Sequence, residues 1–466
     1  MRQDVARDML PANAAWNLID IVLDNVGIQE RGGYTYASPD IHGVKSTASY
    51  IVNGIVAPFV AGDQNLCLDE DGELYKVASS ISATDVGAAY ASQSLSFHRE
   101  YVIIPDPAGA AAPKAYNGTS ISTLGGTPPF GKYASVFLDR SILAAPAALP
   151  QRIYFSAAGD PATWDTTNAW MDADHKLCGV AANGGTIIAF TDHGVERWRG
   201  SIPPPGSDFT HTVLADGSAP YTASICTNGS NVFWASQDGI FMTDGASVYD
   251  LTFDCGMKSY WQALVASGAS WNVSAGILAD RYLVVSVMNG VTRIDCMVID
   301  VPLRRCWRWS NIDAWGMWPA GPHLYFGRRN AAFVGDLAST FAKSAAVKSD
   351  PGGADPVRSY IETRFYKGSS GLKTWRAIYL DYDLRDAATD NPIIGIAYIL
   401  SPESSSYVPP TVYWLNKTVA ATRSRLEINK KSEGIGLLIT RSYASADFRL
   451  YGIDADIYAM ERSRTS

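Results

Sequence analysis

From about residue 50 to residue 340 the chain restates one unit: a short apolar or aromatic run, a turn built on Asp and Gly, then a second short run. Asn65-Leu-Cys-Leu68 passes through Asp69 to Gly72 into Glu73-Leu-Tyr-Lys-Val77. Gly185-Thr-Ile-Ile-Ala-Phe190 passes through Asp192-His-Gly194 into Val195-Glu-Arg-Trp-Arg199. Asn231-Val-Phe-Trp-Ala-Ser236 passes through Gln237-Asp-Gly239 into Ile240-Phe-Met-Thr243. Later units are Asp280 to Val287 with Asn289-Gly290, Asp295 to Asp300 running on to Arg305-Cys-Trp-Arg-Trp309, and His323 to Gly327. Runs of this length are too short for helices, and glycine frees the backbone for the positive φ that tight hairpins need. Equivalent turns recur every 40 to 50 residues or so, the repeat of a β-propeller blade, which predicts about five to seven blades.

The rest of the chain is also strand-like, so the fold class expected is all-β. The 40 Gly, 24 Pro, 24 Tyr and 13 Trp suit many short strands and tight turns. Only Arg7 to Leu23 has an apolar rhythm that suits a helix. We expect an N-terminal arm over 1–49, a propeller over 50–340, a Pro/Gly-bearing linker over 341–358 and a C-terminal β-sandwich over 359–466. Six strands are expected in that last segment: Ser359–Tyr366, Thr374–Tyr382, Ile393–Leu400, Thr411–Leu415, Gly434–Arg441 and Asp447–Ala459.

Charge narrows the function. The formal net charge is −8, without the Lys and Arg surplus that displaces phosphate counterions, so tight nucleic-acid binding is not expected. No stretch approaches 18 apolar residues and no basic, then apolar leader opens the chain, so neither membrane insertion nor secretion is expected. The six cysteines are scattered and read as free, mostly buried thiols. The six histidines (His42, His98, His175, His193, His211, His323) show no zinc spacing, and no cofactor motif is present. Asp69-Glu-Asp71-Gly72-Glu73 lacks the order of a calcium loop and reads as a hairpin turn. In Arg304-Arg-Cys-Trp-Arg-Trp309, Arg and Trp could stack on bases or sugars, but an outer strand with one buried face is the simpler reading.

Two stretches are more specific. One is Leu10-Pro-Ala-Asn-Ala-Ala-Trp-Asn-Leu-Ile-Asp, leading to Gln29-Glu-Arg-Gly-Gly-Tyr-Thr-Tyr36. The other is Gln151-Arg-Ile-Tyr-Phe-Ser-Ala-Ala-Gly-Asp-Pro-Ala-Thr-Trp164. In order and spacing both resemble the tail nozzle family of short-tailed bacteriophages, also called tail tubular protein B or packaged-DNA stabilization protein. That resemblance implies a non-enzymatic virion protein of the tail, made in the host cytoplasm. Its partners would be other copies of itself in a ring, commonly a homohexamer, an adaptor ring above it, and tail fibres or spikes. Genomic DNA would pass through the lumen without sequence-specific contacts.

Within that expectation two loops are candidate channel gates: Ile202, Pro203, Pro204, Pro205 and Gly206 in one, Gly109 and Ala110 in the other. Gly159, Asp160, Pro161 and Trp164 are expected to form a structural turn, although the stretch also looks like the Asp-box of sialidases. The alternative function is therefore a glycan-binding or sialidase-like propeller; a sialidase would need an arginine cluster around a carboxylate and a tyrosine nucleophile, which no spacing singles out. A bacterial interaction scaffold would fit a propeller as well.

Overall fold

In the computed structural model, residues 50–338 are described apart from breaks at 80–81, 202–203, 205–207, 267–270, 291, 311 and 329–333. In the flanking regions the strands named below are described. The chain is all-β, and its centre is a seven-bladed propeller. Blade 1 comprises Ile51–Phe59, Gly62–Asp69, Glu73–Ser79 and Ser82–Ala88. Blade 2 comprises Ser96–His98, Tyr101–Ile104, Lys114–Tyr116 and Ile121–Thr123. Blade 3 comprises Tyr133–Phe137, Arg140–Ala144, Arg152–Ala157 and an outer edge in two pieces, Asp160–Trp164 and Trp170–Asp172. Blade 4 comprises Leu177–Asn183, Thr186–Thr191, Gly194–Arg199 and Thr210–Asp216. Blade 5 comprises Cys226–Thr227, Val232–Ala235, Ile240–Thr243 and Val248–Asp250. Blade 6 comprises Trp271–Leu278, Tyr282–Asn289, Thr292–Asp300 and Arg305–Arg308.

Blade 7 is assembled from both ends of this region. Ala314–Ala320, His323–Arg328 and Val334–Ala338 supply three strands, and the N-terminal strand Thr35–Tyr36 supplies the fourth. Tyr36 pairs with Gly335 and Thr35 with Asp336. The ring is thus closed by a strand from the start of the chain.

Each seam between neighbouring blades holds its own apolar cluster, and the strand pleat explains how. Successive side chains point to opposite faces of a strand. In Thr186–Thr191, Ile187 and Ala189 pack toward blade 3 while Ile188 and Phe190 pack toward blade 5. Both faces are buried, so the inner strands read as continuous apolar runs. At the closing seam, Ile51, Cys67, Tyr75 and Val77 of blade 1 meet Trp318 and Val334 of blade 7. Glycine permits the close approach there, because a Cβ on Gly316 would fall on the Val52 carbonyl. Between blades 5 and 6 the chain forms two short helices, Leu251–Asp254 and Lys258–Ala266. Asp250 caps the first, and Trp261 of the second is fully buried, its indole N–H donating to the Ser236 carbonyl at 2.9 Å.

The expected helix over 7–23 is corrected. Ala15–Ile19 and Ile21–Leu23 are strands, and residues 7–14 lie outside the described residues. Ile19 pairs in parallel with Arg308 at the outer edge of blade 6, and the same strand pairs antiparallel with Tyr360–Lys367. A free sheet edge offers this β-branched segment more than its weak helical rhythm does. Beyond Tyr360–Lys367 that sheet continues through Gly434–Arg441, Ile393–Ile399 and Val408–Trp414. A second sheet runs Ile21–Leu23, Ile28–Glu30, Asp447–Ala459, Lys373–Arg385 and Thr422–Ser432. The last of these, 11 residues long, was not among the six expected strands. The expected linker over 341–358 lies outside the described residues.

Candidate functional site

The first strand of each blade is innermost. Segments of those strands from blades 1, 2, 3, 4, 5 and 7 line a central cavity of about 340 Å³. Its lining is mostly aliphatic, small or hydroxylic, including Val52, Leu95, Val136, Val180 and Thr222, with the Trp318 indole and the amides of Asn53 and Gln93 beside them. Among the described residues that line it none carries a charge. At the upper face, where the inner strands begin, an adjoining pocket that shares Val52, Tyr133 and Thr222 with the first forms a mouth that includes Tyr50, Glu70, Lys132 and Trp315. Tyr50 and Trp315 meet edge to face at 4.9 Å. Burial raises the Tyr133 phenol above its ordinary value despite a hydrogen bond with Thr222, so it is a neutral hydroxyl at the mouth.

The lower face, where the inner strands end, is laced from blade to blade. The Glu100 carboxylate on the first turn of blade 2 accepts from the Val60 N–H of blade 1 at 3.0 and 3.2 Å. Arg99, on the same turn, pairs through Nε and Nη2 with Asp139 of blade 3. The Asn183 amide of blade 4 donates to the Ser230 carbonyl of blade 5 at 2.5 Å. Arg197 of blade 4 donates to the Gly245 carbonyl at 2.7 Å. The turns holding Arg99–Glu100 and Leu138–Asp139 place non-glycine residues at positive φ (46° and 63°, 45° and 59°), as the mirror-image hairpin turn requires.

Within this rim sits a Ser–His–Asp grouping. His98 Nδ1 lies 2.7 Å from Ser141 Oγ, and Nε2 lies 3.1 Å from Asp139 Oδ1. Ser141 has no exposed surface, so no substrate carbonyl can reach its oxygen. The grouping clasps blade 2 to blade 3. Hydrogen bonds from Arg99 and His98 hold the Asp139 carboxyl down at about 2. Its contribution to the clasp is therefore present above the ordinary carboxylate value and lost only as pH falls through about 2.

Of the expected structural turn, Gly159 lies in the turn that follows the third strand of blade 3 on this lower face. Asp160, Pro161 and Trp164 stand instead on the outer-edge strand Asp160–Trp164, which is bulged against the third strand. Gly159 sits at φ +71°, and its N–H donates to the Asp139 carbonyl at 2.6 Å. Asp160 accepts from the Ala162 N–H at 2.8 Å and the Thr163 hydroxyl at 2.6 Å. The Trp164 indole N–H closes back on the Pro161 carbonyl at 2.8 Å. Local hydrogen bonds within this turn and bulged strand account for Asp160 and Trp164.

The two candidate gate loops do not share a face. Ser201 to Asp208 joins the third and outer strands of blade 4 at the lower face. Pro204 is half-buried there, while Ile202, Pro203, Pro205 and Gly206 lie outside the described residues. The loop's base is tied by Asp208, which accepts from the Ser201 N–H at 2.9 Å and its hydroxyl at 2.8 Å. Gly109 and Ala110 lie on the upper face, between the second and third strands of blade 2. Asp106 pins that corner, accepting from the amides of Ala108 at 3.0 Å and of Ala110 and Ala111 at 2.9 Å. Gly109 adopts φ +67°, and its carbonyl accepts from the Ala147 N–H at 2.8 Å. Asp106→Ala is expected to leave these amides unpaired, costing about 2 kcal/mol. Hydrogen exchange should then accelerate at Ala108, Ala110 and Ala111; unchanged exchange would mean the corner is held by something else.

Other sequence readings find places here too. Asp69 is buried and accepts from the Glu73 N–H at 2.7 Å, so the Asp69–Gly72 stretch is a hairpin turn. Arg305–Arg308 is the outer strand of blade 6, with Trp307 fully buried and Arg308 paired to Asp295. All six cysteines are free thiols, and burial pushes Cys226 up to about 12. Two groups of metal-ligating side chains, invisible as spacings, come together where the connection from blade 3 meets blade 4: His175 with Asp192 and His193, and Asp174 with Glu196 and His211. Their members come from separate strands and turns, so no local motif announces them.

Compared with known proteins, the chain matches no family model and no curated protein. Among solved structures it is similar to BBS1N in complex with ARL6DN, soaked with mercury, at 11% identity. That match has a TM-score of 0.45 and covers 66% of this chain and 98% of the other. It is also similar to the WD40 β-propeller domain of Doa1 at 8% identity and a TM-score of 0.30, over 66% and 99% of the respective chains. These are likenesses of fold alone.

Proposed function

We propose that the chain is a structural, non-enzymatic virion protein: one subunit of the nozzle ring at the distal end of a short phage tail. The observation that carries this reading is where the two family-like stretches fall. The first leads into Thr35–Tyr36, the strand that closes the propeller, and the second is the turn that meets Asp139 on the laced lower rim. One closes the ring and the other ties two turns of blade 3 together, roles that suit a rigid structural wall.

The central cavity is not the conduit. At about 340 Å³ it is small-ligand size, far too small for a duplex. DNA would pass along an axis surrounded by several copies, closed by rotation through heterologous contacts. A net charge of −8 favours a wall that DNA does not stick to, because phosphate contacts are what retard it. Of the two candidate gates, the Gly109–Ala110 corner is pinned by Asp106 and does not suit a moving part. Cryo-EM of intact virions tests the reading. A propeller-sized ring of this chain below the adaptor is the expected result, and its absence from the tail axis would overturn it.

The second reading, glycan binding, rests on the aromatic mouth formed by Tyr50, Tyr133 and Trp315 beside Glu70 and Lys132. Aromatic faces next to a few polar groups suit sugar rings. Binding on a glycan array that Trp315→Ala abolishes would favour it over the conduit.

A further inference from the structure

We propose that Asp174, Glu196 and His211 form a site for one divalent transition cation of the zinc class, set in the seam between blades 3 and 4. Asp174 follows the outer-edge strand Trp170–Asp172 of blade 3, while Glu196 and His211 stand on the third and outer strands of blade 4. His211 Nε2 lies 3.1 Å from Glu196 Oε2 and 3.9 Å from Asp174 Oδ2, and ligand atoms of all three fall within 4.8 Å of one another. A tetrahedral zinc with ligands at about 2.0–2.2 Å needs donor atoms about 3.3–3.6 Å apart. The observed separations bracket that value, so small side-chain shifts complete the geometry.

Glu196 provides an independent argument. Its side chain is 3% exposed, yet Oε1 has no hydrogen-bond partner. A buried carboxylate oxygen left unsatisfied is costly, and a cation held by both Glu196 oxygens would take up the charge and the orphaned Oε1 together. The surroundings also hold the donors in place. The Asp174 N–H donates to Glu196 Oε2 at 3.1 Å, orienting the carboxylate. The Trp198 ring stacks on His211 at 4.7 Å and 27°, which fixes the plane of the imidazole. With Asp174 59% and His211 34% exposed, the site opens to solvent on one side, so an ion can enter and water can take a fourth position. One imidazole with two carboxylates suits zinc or its neighbours better than calcium, which takes six to eight oxygens.

The test is zinc binding to the full chain, by calorimetry and by metal content after dialysis, with calcium as competitor. We expect one equivalent in this site, undisturbed by excess calcium, with His211→Ala, Glu196→Gln and the exposed Asp174→Asn each binding at least tenfold more weakly. His193→Ala, in the other histidine group, should bind as the parent does. Circular dichroism of each variant keeps a folding defect apart from a lost ligand, and Asp174→Asn, on an exposed side chain, carries the test if the buried variants misfold. The proposal is overturned if the parent retains no zinc, or if all three variants bind it as the parent does. It is equally overturned if a zinc-soaked structure shows only an ordered water on Glu196 Oε1.

Discussion

A chain lacking residues 1–49 should fail to form a stable monomeric propeller. The deletion removes Thr35–Tyr36 from blade 7, Ala15–Ile19 from between blade 6 and Tyr360–Lys367, and Ile28–Glu30 from beside Asp447–Ala459. Three sheets lose a member, and the strands Arg305–Arg308 and Val334–Ala338 become bare edges. At about 0.5–1.5 kcal/mol net for each ladder hydrogen bond, the direct loss alone is several kcal/mol. That is a large share of the 5–15 kcal/mol that a folded protein has in total. Bare, apolar-flanked edges also invite pairing with other chains. Size-exclusion chromatography with thermal unfolding reads the result: aggregation, or a much lower midpoint. A soluble monomer with the parent's midpoint would mean that closure does not depend on this strand.

The second large effect is expected from a single methyl group. Gly126 sits at φ +76°, and a Cβ there would overlap the carbonyl oxygen of Ala162, on the outer-edge strand Asp160–Trp164 of blade 3. Alanine in the left-handed region costs about 1–2 kcal/mol, and forcing a packed backbone aside about 1–3 more. Gly126→Ala should therefore lose about 2–5 kcal/mol in denaturant unfolding. Gly125→Ala is the control, since its Cβ would meet only Ala162 Cβ at 3.8 Å. That variant should stay within about 1 kcal/mol of the parent. Equal losses in both would show that the close approach of this strand is not what Gly126 accommodates.

Much of the fold is legible from residues alone, because blades 1, 4 and 5 carry their Asp/Gly hairpin signals between long apolar runs. Blade 2 is the counter-example. Its inner strand, Ser96–His98, has three residues, and its first turn uses Arg99 and Glu100 at positive φ where glycine would have marked a hairpin. That is one reason the repeat alone brackets the blade number while hydrogen bonding resolves seven. The helix Lys258–Ala266 is nine residues long, and its formation leans on burying Trp261 rather than on propensity. The turn at Gly159 and the bonds of Asp160 and Trp164 could be read in advance because they are local, whereas the strand that Asp160–Trp164 forms was not expected. The His98–Ser141 clasp and the Asp174–Glu196–His211 group could not, because their partners are brought together by neighbouring blades and adjacent strands. Contacts of that kind leave no spacing in the sequence.

The closing strand also has a consequence in time. Tyr36 and Gly335 are pairing partners 299 positions apart (335 − 36). At a synthesis rate of about 5–20 residues per second, the first partner waits about 15–60 s for the second. Throughout that interval the nascent ring is an open arc with an unmatched strand at one end. When several ribosomes work on one message, the nearest matching edge can belong to a sister chain. Ring closure is then a contest between an intramolecular ending and a strand-exchanged one, decided by local concentration and by how quickly the last blade emerges.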